Sequence, residues 1–343
     1  MKIVLGLSDG VDSAVAALLL REAGHDVTGV YLDLAGAEQR DAAARSAREA
    51  GIGFVCVPIR EALEKRVCGP FIDEYLRGRT PSPCVGCNRT VKLPALIEQA
   101  DRLGCEMIAT GHYVRKEGNE LYMGDESCDQ SYMFSRLTGE EKHRLLLPLG
   151  SMNKKETRRI AAERHLSCAE KPDSRENCFI RDMDYASYIE LKRPDSVPPA
   201  GTVFYRGAPV GTHDGIHRYT VGQRWKDDIG ERRAYVARIN PAADRIELAL
   251  WEDLFTRKTF LSGLTFFDEP VPAEPFHAAI RVRHTRWETP GCLVTPVPGG
   301  ALVETDSDLR APAPGQCAAL YDGTRLIGGG IVETPPDPDA LEI

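Results

Sequence analysis

Lys2–Leu7 opens the chain as a short apolar run, and Val11, Ala14, Val15, Leu18 and Leu19 follow at helical spacing until Gly24. Val27–Leu34 reads as a second buried strand, Asp41–Ala50 as an alanine-rich helix and Phe54–Ile59 as a third strand. A charged helical stretch then leads into a loop, Gly78–Asn88, whose prolines are expected to hold Cys84 and Cys87 away from helical packing. A helix over Leu93–Leu103, a strand over Glu106–Gly111 and a helix over Lys154–Arg164 continue the rhythm. This alternation predicts an α/β fold, a doubly wound parallel sheet with helices on both faces and ligands beyond the carboxyl ends of its strands.

The pattern changes at Arg193–Gly201, where Pro194, Pro198 and Pro199 mark a linker. Beyond it the chain breaks into short strand-like segments: Ala234–Asn240, Arg245–Leu250, Ala278–Arg283, Cys292–Pro296 and Leu302–Glu304. Ala318–Tyr321 and Arg325–Val332, either side of Asp322-Gly323, read as a hairpin. Two small β-rich, barrel-like units fit, so the expected domains are 1–194, 195–257 and 258–334, with a frayed tail over 335–343.

Of the 343 residues 27% are charged and 42% apolar, which excludes a mostly disordered chain. The formal charge of −8 argues against a general nucleic-acid coat. Residues 76–116 nevertheless hold an excess of basic side chains, a local patch expected to lie far from the acidic tail that begins with Glu333. No apolar run approaches the roughly 18–20 residues of a membrane span. The opening residues are too short and too quickly polar for a secretory signal, so a cytoplasmic location is expected. Ten cysteines in a reducing compartment are expected as thiols, and those that matter as catalytic or metal-binding groups.

Chemistry concentrates first in Gly6-Leu7-Ser8-Asp9-Gly10-Val11-Asp12-Ser13, between the first strand and the first helix. Amides at a helix start invite an anion. The segment lacks the Lys-[Ser/Thr] of a Walker loop and is not Gly-x-Gly-x-x-Gly. It resembles the Ser-Gly-Gly-x-Asp-Ser loop of the ATP pyrophosphatases; an ordinary turn capped by Ser8 or Asp9 is the bland alternative. Asp9 takes the place of a glycine of that loop, and its carboxylate would face phosphates unless Mg²⁺ or its rotamer removes it. A second centre is Thr80-Pro-Ser82-Pro83-Cys84-Val-Gly-Cys87-Asn-Arg89, followed by Lys92, with Arg77 and Arg79 nearby to favour thiolate. A lone Cys-x-x-Cys is half a zinc site. Cys178 stands in Lys171-Pro-Asp173-Ser174-Arg-Glu-Asn177-Cys178-Phe179-Ile180.

With Ala109-Thr-Gly111-His112-Tyr113, Asp129-Gln130-Ser131-Tyr132, Leu147-Pro-Leu-Gly150, Gly211-Thr-His213-Asp-Gly215, Tyr219-Thr-Val-Gly222-Gln223-Arg224, Pro314-Gly-Gln316 and Gly328-Gly-Gly330 in register, nearly the whole chain resembles the tRNA-specific 2-thiouridylase family. The resemblance implies that ATP, with Mg²⁺, adenylates the C2 oxygen of the wobble uridine in lysine, glutamate and glutamine tRNAs. A cysteine persulfide, charged by a sulfur-relay protein, then displaces AMP. It implies that Gly6 to Ser13 cradle ATP, that Leu32 contacts adenine and that Gly111 lines the nucleotide. Cys87 corresponds to the nucleophile and Cys178 to the persulfide carrier, with a Cys87–Cys178 disulfide formed on turnover. Ser82, Pro83 and Cys84 match the segment beside the target base. His112, Cys128, Asp129, Gln130, Arg283, His284 and Gln316 match tRNA-facing positions, although for His112 a satisfied strand-end histidine is the alternative.

The chain departs from the family at Asp9, at Cys128 (usually lysine), at Cys84 (commonly aspartate) and in lacking a segment after Leu34. Cys84 opens a rival arrangement in which Cys84, Cys87 and Cys178 hold three irons of a [4Fe–4S] cluster. A non-catalytic tRNA-binding paralogue, with Asp9 and Cys128 as signs of a decayed site, is the rival of another class.

Overall fold

The computed structural model describes residues 1–34, 37–173, 177–267, 270–284 and 290–334. Strand β1 (Lys2–Gly6), helix α1 (Val11–Glu22), β2 (Asp26–Asp33), α2 (Ala37–Ala50) and β3 (Gly53–Pro58) follow the alternation of the sequence. Then come α3 (Arg60–Leu63), a π-turn (Glu64–Cys68), α4 (Gly69–Leu76), α5 (Pro83–Cys87), a second π-turn (Asn88–Lys92) and α6 (Leu93–Arg102). The unit continues with β4 (Met107–Ala109), a hairpin of β5 (Val114–Glu117) and β6 (Glu120–Met123), α7 (Gly139–Arg144), β7 (Leu145–Leu146), α8 (Lys154–Glu163) and α9 (Tyr185–Lys192).

The sheet runs β3-β2-β1-β4-β7 and is parallel at every pairing. Successive residues of β1 point to opposite faces, so Ile3 and Leu5 join a core with α1, α2 and α8 while Val4 joins one beneath α6. Strand order reverses between β1 and β4, which opens a crevice at their carboxyl ends.

The expected loop at Gly78–Asn88 is helical from Pro83 onward. Proline in a first helical turn has a preset φ and loses no hydrogen bond, so Pro83 starts the helix rather than excluding it. The π-turn at Asn88–Lys92 carries the same run past Pro94 into α6. Cys84 and Cys87 are therefore helical residues.

The linker holds only a 3₁₀ turn, Pro194–Ser196. After it β8 (Gly201–Tyr205), β9 (Ala208–His213), β10 (Arg224–Ile229), β11 (Arg232–Asn240) and β12 (Arg245–Leu250) form an open sheet in the order β10-β11-β12-β8-β9. The last strands are β13 (Phe255–Phe266), β14 (Phe276–Arg281), β15 (Gly291–Val297), β16 (Gly300–Arg310), β17 (Cys317–Asp322) and β18 (Arg325–Glu333). They close into a barrel because β13 pairs with both β16 and β18. Sequence pattern does not reveal that the β5–β6 hairpin extends this barrel sheet, through Arg325 opposite Tyr122. Val114 and Leu121 share a core with Ala319, Tyr321 and Leu326, so the barrel is a wall of the first unit. The tail expected to fray lies outside the described residues.

Candidate active site

The chain leaves β1 at Gly6 and enters α1 at Val11. Gly10 is the N-cap in extended geometry and no side chain caps the helix, which leaves its first amides for an anion. Neither Ser8 nor Asp9 acts as the cap of an ordinary turn. Instead Ser8 braces the loop, its amide and its hydroxyl each 3.0 Å from Ser13 Oγ. Gly111, just past β4, comes so close that an added Cβ would lie 2.9 Å from Asp12 C and Ser13 N. The loop carboxylates are held by cations. Asp9 is ion-paired with Lys171, and Asp12 accepts from Lys154 at 2.7 and 2.8 Å and from Tyr113 Oη at 2.6 Å.

Cys84 and Cys178 are exposed, Cys87 is half-buried, and all three are free thiols. They line one cavity of about 2130 Å³ together with Gly6–Ser13, Leu32, Pro83, Gly111, His112, Cys128–Gln130 and His284. Ligand pockets commonly span about 300–1,000 Å³, so this one has room for more than a mononucleotide. Negative charge on Cys178 or Cys84 would disfavour the Cys87 thiolate, and negative charge on Cys84 would disfavour that of Cys178. Burial pushes the Cys87 thiol up to about 11, and Lys92 offsets only part of this. Burial raises Cys178 as well. The expected thiolate-favouring surroundings are thus not what the fold provides, because burial outweighs the one nearby lysine.

The other basic residues of 76–116 are largely engaged within the protein. Arg79 bonds Glu74 and Glu333, which is therefore in contact with this segment and not far from it. Arg77 approaches Glu74, Arg102 pairs with Glu98, and Arg115 with Glu117. Lys116 donates to the carbonyls of Lys142, His143 and Leu145.

The positions matched to tRNA contacts divide into two groups. His112, Cys128, Asp129, Gln130, His284, Pro83 and Cys84 line the cavity; Ser82, Arg283 and Gln316 do not. Ser82 Oγ accepts from the Cys317 amide at 3.0 Å and lies 3.2 Å from Tyr132 Oη, which makes it a tie to the barrel. Arg283 donates to the carbonyls of Arg310, at 3.0 Å, and Ala311. Gln316, just ahead of β17, has its side-chain oxygen buried and without a hydrogen-bond partner among the described residues. Asp129 is cavity-lining but its carboxylate is already taken, by Arg281 at 2.6 Å, Ser131 Oγ at 2.9 Å and the Gly124 amide at 2.8 Å. Gln130 clamps the Tyr113 amide at 3.0 Å. His112 has Thr110 Oγ1 2.9 Å from Nδ1 and packs edge-on against Phe134. Burial, with Lys92, holds its pKa well below the usual histidine range, so the ring is neutral at pH 7.

Sequence reasoning missed Lys154, Tyr113, Lys171 and Arg281 as parts of the site. Their partners lie as far as 162 residues away, and no local spacing announces such a pair. Among the described residues no three His, Cys, Asp or Glu side chains converge closely enough to hold a metal ion. The three cysteines, as arranged, are not a preformed cluster ligand set. No described helix is long and apolar enough to cross a membrane.

Three family models match in chain order: a tRNA methyl transferase HUP domain over residues 1–182, a tRNA methyl transferase PRC-barrel domain over 200–249 and an aminomethyltransferase β-barrel domain over 256–332. With the loop and cysteine cavity described above, they define a class, a HUP-domain protein followed by a PRC-barrel-type domain, here an open sheet, and a closed β-barrel domain. The chain is 36% identical to the tRNA-specific 2-thiouridylase MnmA of Chloroflexus aggregans, over 97% of this chain and 98% of that one. It is 34% identical to the MnmA proteins of Clostridioides difficile and Carboxydothermus hydrogenoformans, over 97% of this chain in each case and 98% and 97% of theirs. The chain belongs to the tRNA-specific 2-thiouridylase family.

Proposed function

We propose that this protein is an ATP-dependent tRNA-uridine 2-sulfurtransferase, acting in the cytoplasm on the wobble uridine of lysine, glutamate and glutamine tRNAs. The observation that carries the reading is one cavity lined by the loop Gly6–Ser13 together with Cys87 and Cys178. Residues 1–194 supply the chemistry, while 195–257 and 258–334 hold RNA. A uridine taken out of its stack in a single-stranded anticodon loop presents C2 to such a cavity.

The first-turn amides of α1, with Lys154, hold the ATP phosphates, and Leu32 and Gly111 border the nucleotide. Mg²⁺ would enter with ATP and neutralise phosphate charge, and Asp12 is the loop carboxylate that would face it. The uridine C2 oxygen attacks the α-phosphorus and pyrophosphate leaves. This converts a poor leaving group into AMP. The terminal sulfur of a Cys178 persulfide, loaded by a sulfur-relay protein, then attacks C2 and AMP departs with the former C2 oxygen. The Cys87 thiolate attacks Cys178 Sγ, the persulfide S–S bond breaks, the sulfur stays on C2, and a Cys87–Cys178 disulfide forms. An external dithiol reduces it. Neutral His112 positions the base by hydrogen bonding rather than by charge.

A cluster held by Cys84, Cys87 and Cys178 is the second reading, favoured by their common cavity and opposed by the lack of converging metal ligands among the described residues. Methyl transfer, suggested by the domain descriptions, has no use for an ATP loop and cysteine thiols in one cavity. The test is reconstitution with ATP, unmodified tRNA and a persulfide source. Formation of AMP with 2-thiouridine, detected by nucleoside mass spectrometry, supports the reading; tRNA binding without AMP favours the binding-only paralogue.

A further inference from the structure

The phosphate loop carries its own anions. Asp9 is ion-paired with Lys171. Asp12 is paired with Lys154 at 2.7 Å, and Lys154 also reaches Asp173 at 3.1 Å, which Arg158 holds at 2.9 Å. Arg158 further donates to the Lys171 carbonyl at 2.9 Å and so fixes the backbone from which Lys171 reaches over the loop. Asp9, Asp12, Lys154 and Lys171 all line the cavity. Cations and carboxylates alternate around the loop mouth, and the cluster is close to neutral before any phosphate arrives. Among the described residues Lys154 is shared between two carboxylates, whereas Lys171 pairs with one, Asp9, and its side chain is 42% exposed. Exposed pairs of this kind are weak and exchange readily for a stronger anion.

We propose that Asp9 is an internal competitor of nucleotide phosphates for Lys171, an autoinhibitory contact that limits the retention of both ATP and pyrophosphate. The proposal rests on the reading that the loop binds ATP. When the polyphosphate enters, Lys171 leaves Asp9 for phosphate oxygens. When pyrophosphate has formed, Asp9 competes to take Lys171 back and so hastens its departure. Asp9 in this role is a positioning residue, acting on the ligand through Lys171. A carboxylate that merely repelled phosphates would act without Lys171, and this separates the two cases.

The test is a double-mutant cycle on the full chain. A non-hydrolysable ATP analogue, and separately pyrophosphate, is titrated by calorimetry into wild type, Asp9→Asn, Lys171→Gln and the double variant, with thermal melting to confirm folding. Asp9→Gly gives a second route should Asp9→Asn fold poorly. The expected result is about two- to five-fold tighter binding of both ligands by Asp9→Asn, and loss of that gain in the Lys171→Gln background. A gain that persists undiminished without Lys171, or no gain at all, overturns the proposal. Wild type that binds neither ligand overturns the ATP reading itself and this inference with it.

Discussion

Arg79 and Glu333, 254 residues apart, meet in a two-pronged ion pair that ties the segment ahead of the cysteine helix to the last barrel strand. Arg79 also donates to Glu74 at 2.7 Å, and Ser262 Oγ donates to Glu333 at 2.8 Å. Glu333 and Glu74 hold Arg79 charged more firmly than usual. Both side chains are about three-quarters covered, so removing one partner leaves a costly charge. Glu333→Gln is expected to lower stability by about 1–3 kcal/mol, read as a lower urea midpoint. An unchanged midpoint would show the tie to be ornamental.

Gly111→Ala tests the contact between the two strand ends. Its new Cβ would meet loop backbone at 2.9 Å, which cannot swing aside like a flexible side chain. The phosphate loop must shift, and positioning errors of about 1 Å can cost about 100-fold in rate. The variant is expected to fold, to lose most ATP–pyrophosphate exchange and to keep tRNA affinity in a filter-binding assay. Exchange at the wild-type rate would contradict the role given to the loop.

The raised Cys87 pKa fixes the sign of a pH effect. The folded protein binds that proton more tightly than the unfolded chain, whose thiol titrates near 9. Its contribution to stability is therefore complete below pH 9 and is lost as pH rises through 9 toward 11. Alkylation of Cys87 by iodoacetamide is expected to accelerate steadily across the same window, with no plateau near pH 9. A plateau at or below pH 9 in peptide mass spectrometry would contradict the burial argument.

Cys84 separates the two sulfur chemistries. By the persulfide route Cys84→Ala keeps activity within a few-fold, whereas Cys87→Ala and Cys178→Ala lose it. By the cluster route Cys84→Ala is inactive, and the anaerobically reconstituted wild type absorbs broadly in the visible range. Thiolation assays and absorption spectra on the same preparations decide between them.

Much of the fold was legible because β1, α1 and β2 carry strong periodic signals and turn at Gly24. The segment around Cys84 departs from the loop its prolines suggest because proline breaks a helix only in its interior; at Pro83 it begins one. The β5–β6 hairpin joins the barrel through the short pairing of Arg325 with Tyr122 and the core shared by Leu121 and Leu326, neither of which a local pattern encodes. Motifs placed Gly6–Ser13, Cys87 and Cys178 in the sequence. They could not indicate that Asp129 is spent on Arg281 or that Arg283 bonds carbonyls away from the cavity, because those partners are set by tertiary packing.

The most direct test of sulfur transfer from Cys178 to the uridine, with Cys87 resolving the persulfide, starts from protein carrying one labelled persulfide on Cys178, mixed with ATP and unmodified glutamate tRNA in a single turnover. The account predicts one labelled 2-thiouridine and one AMP per protein, with Cys87 and Cys178 recovered as a disulfide in peptide mass spectrometry. Labelled 2-thiouridine made at an undiminished rate by the Cys87→Ala protein, or a disulfide joining other cysteines, would contradict it.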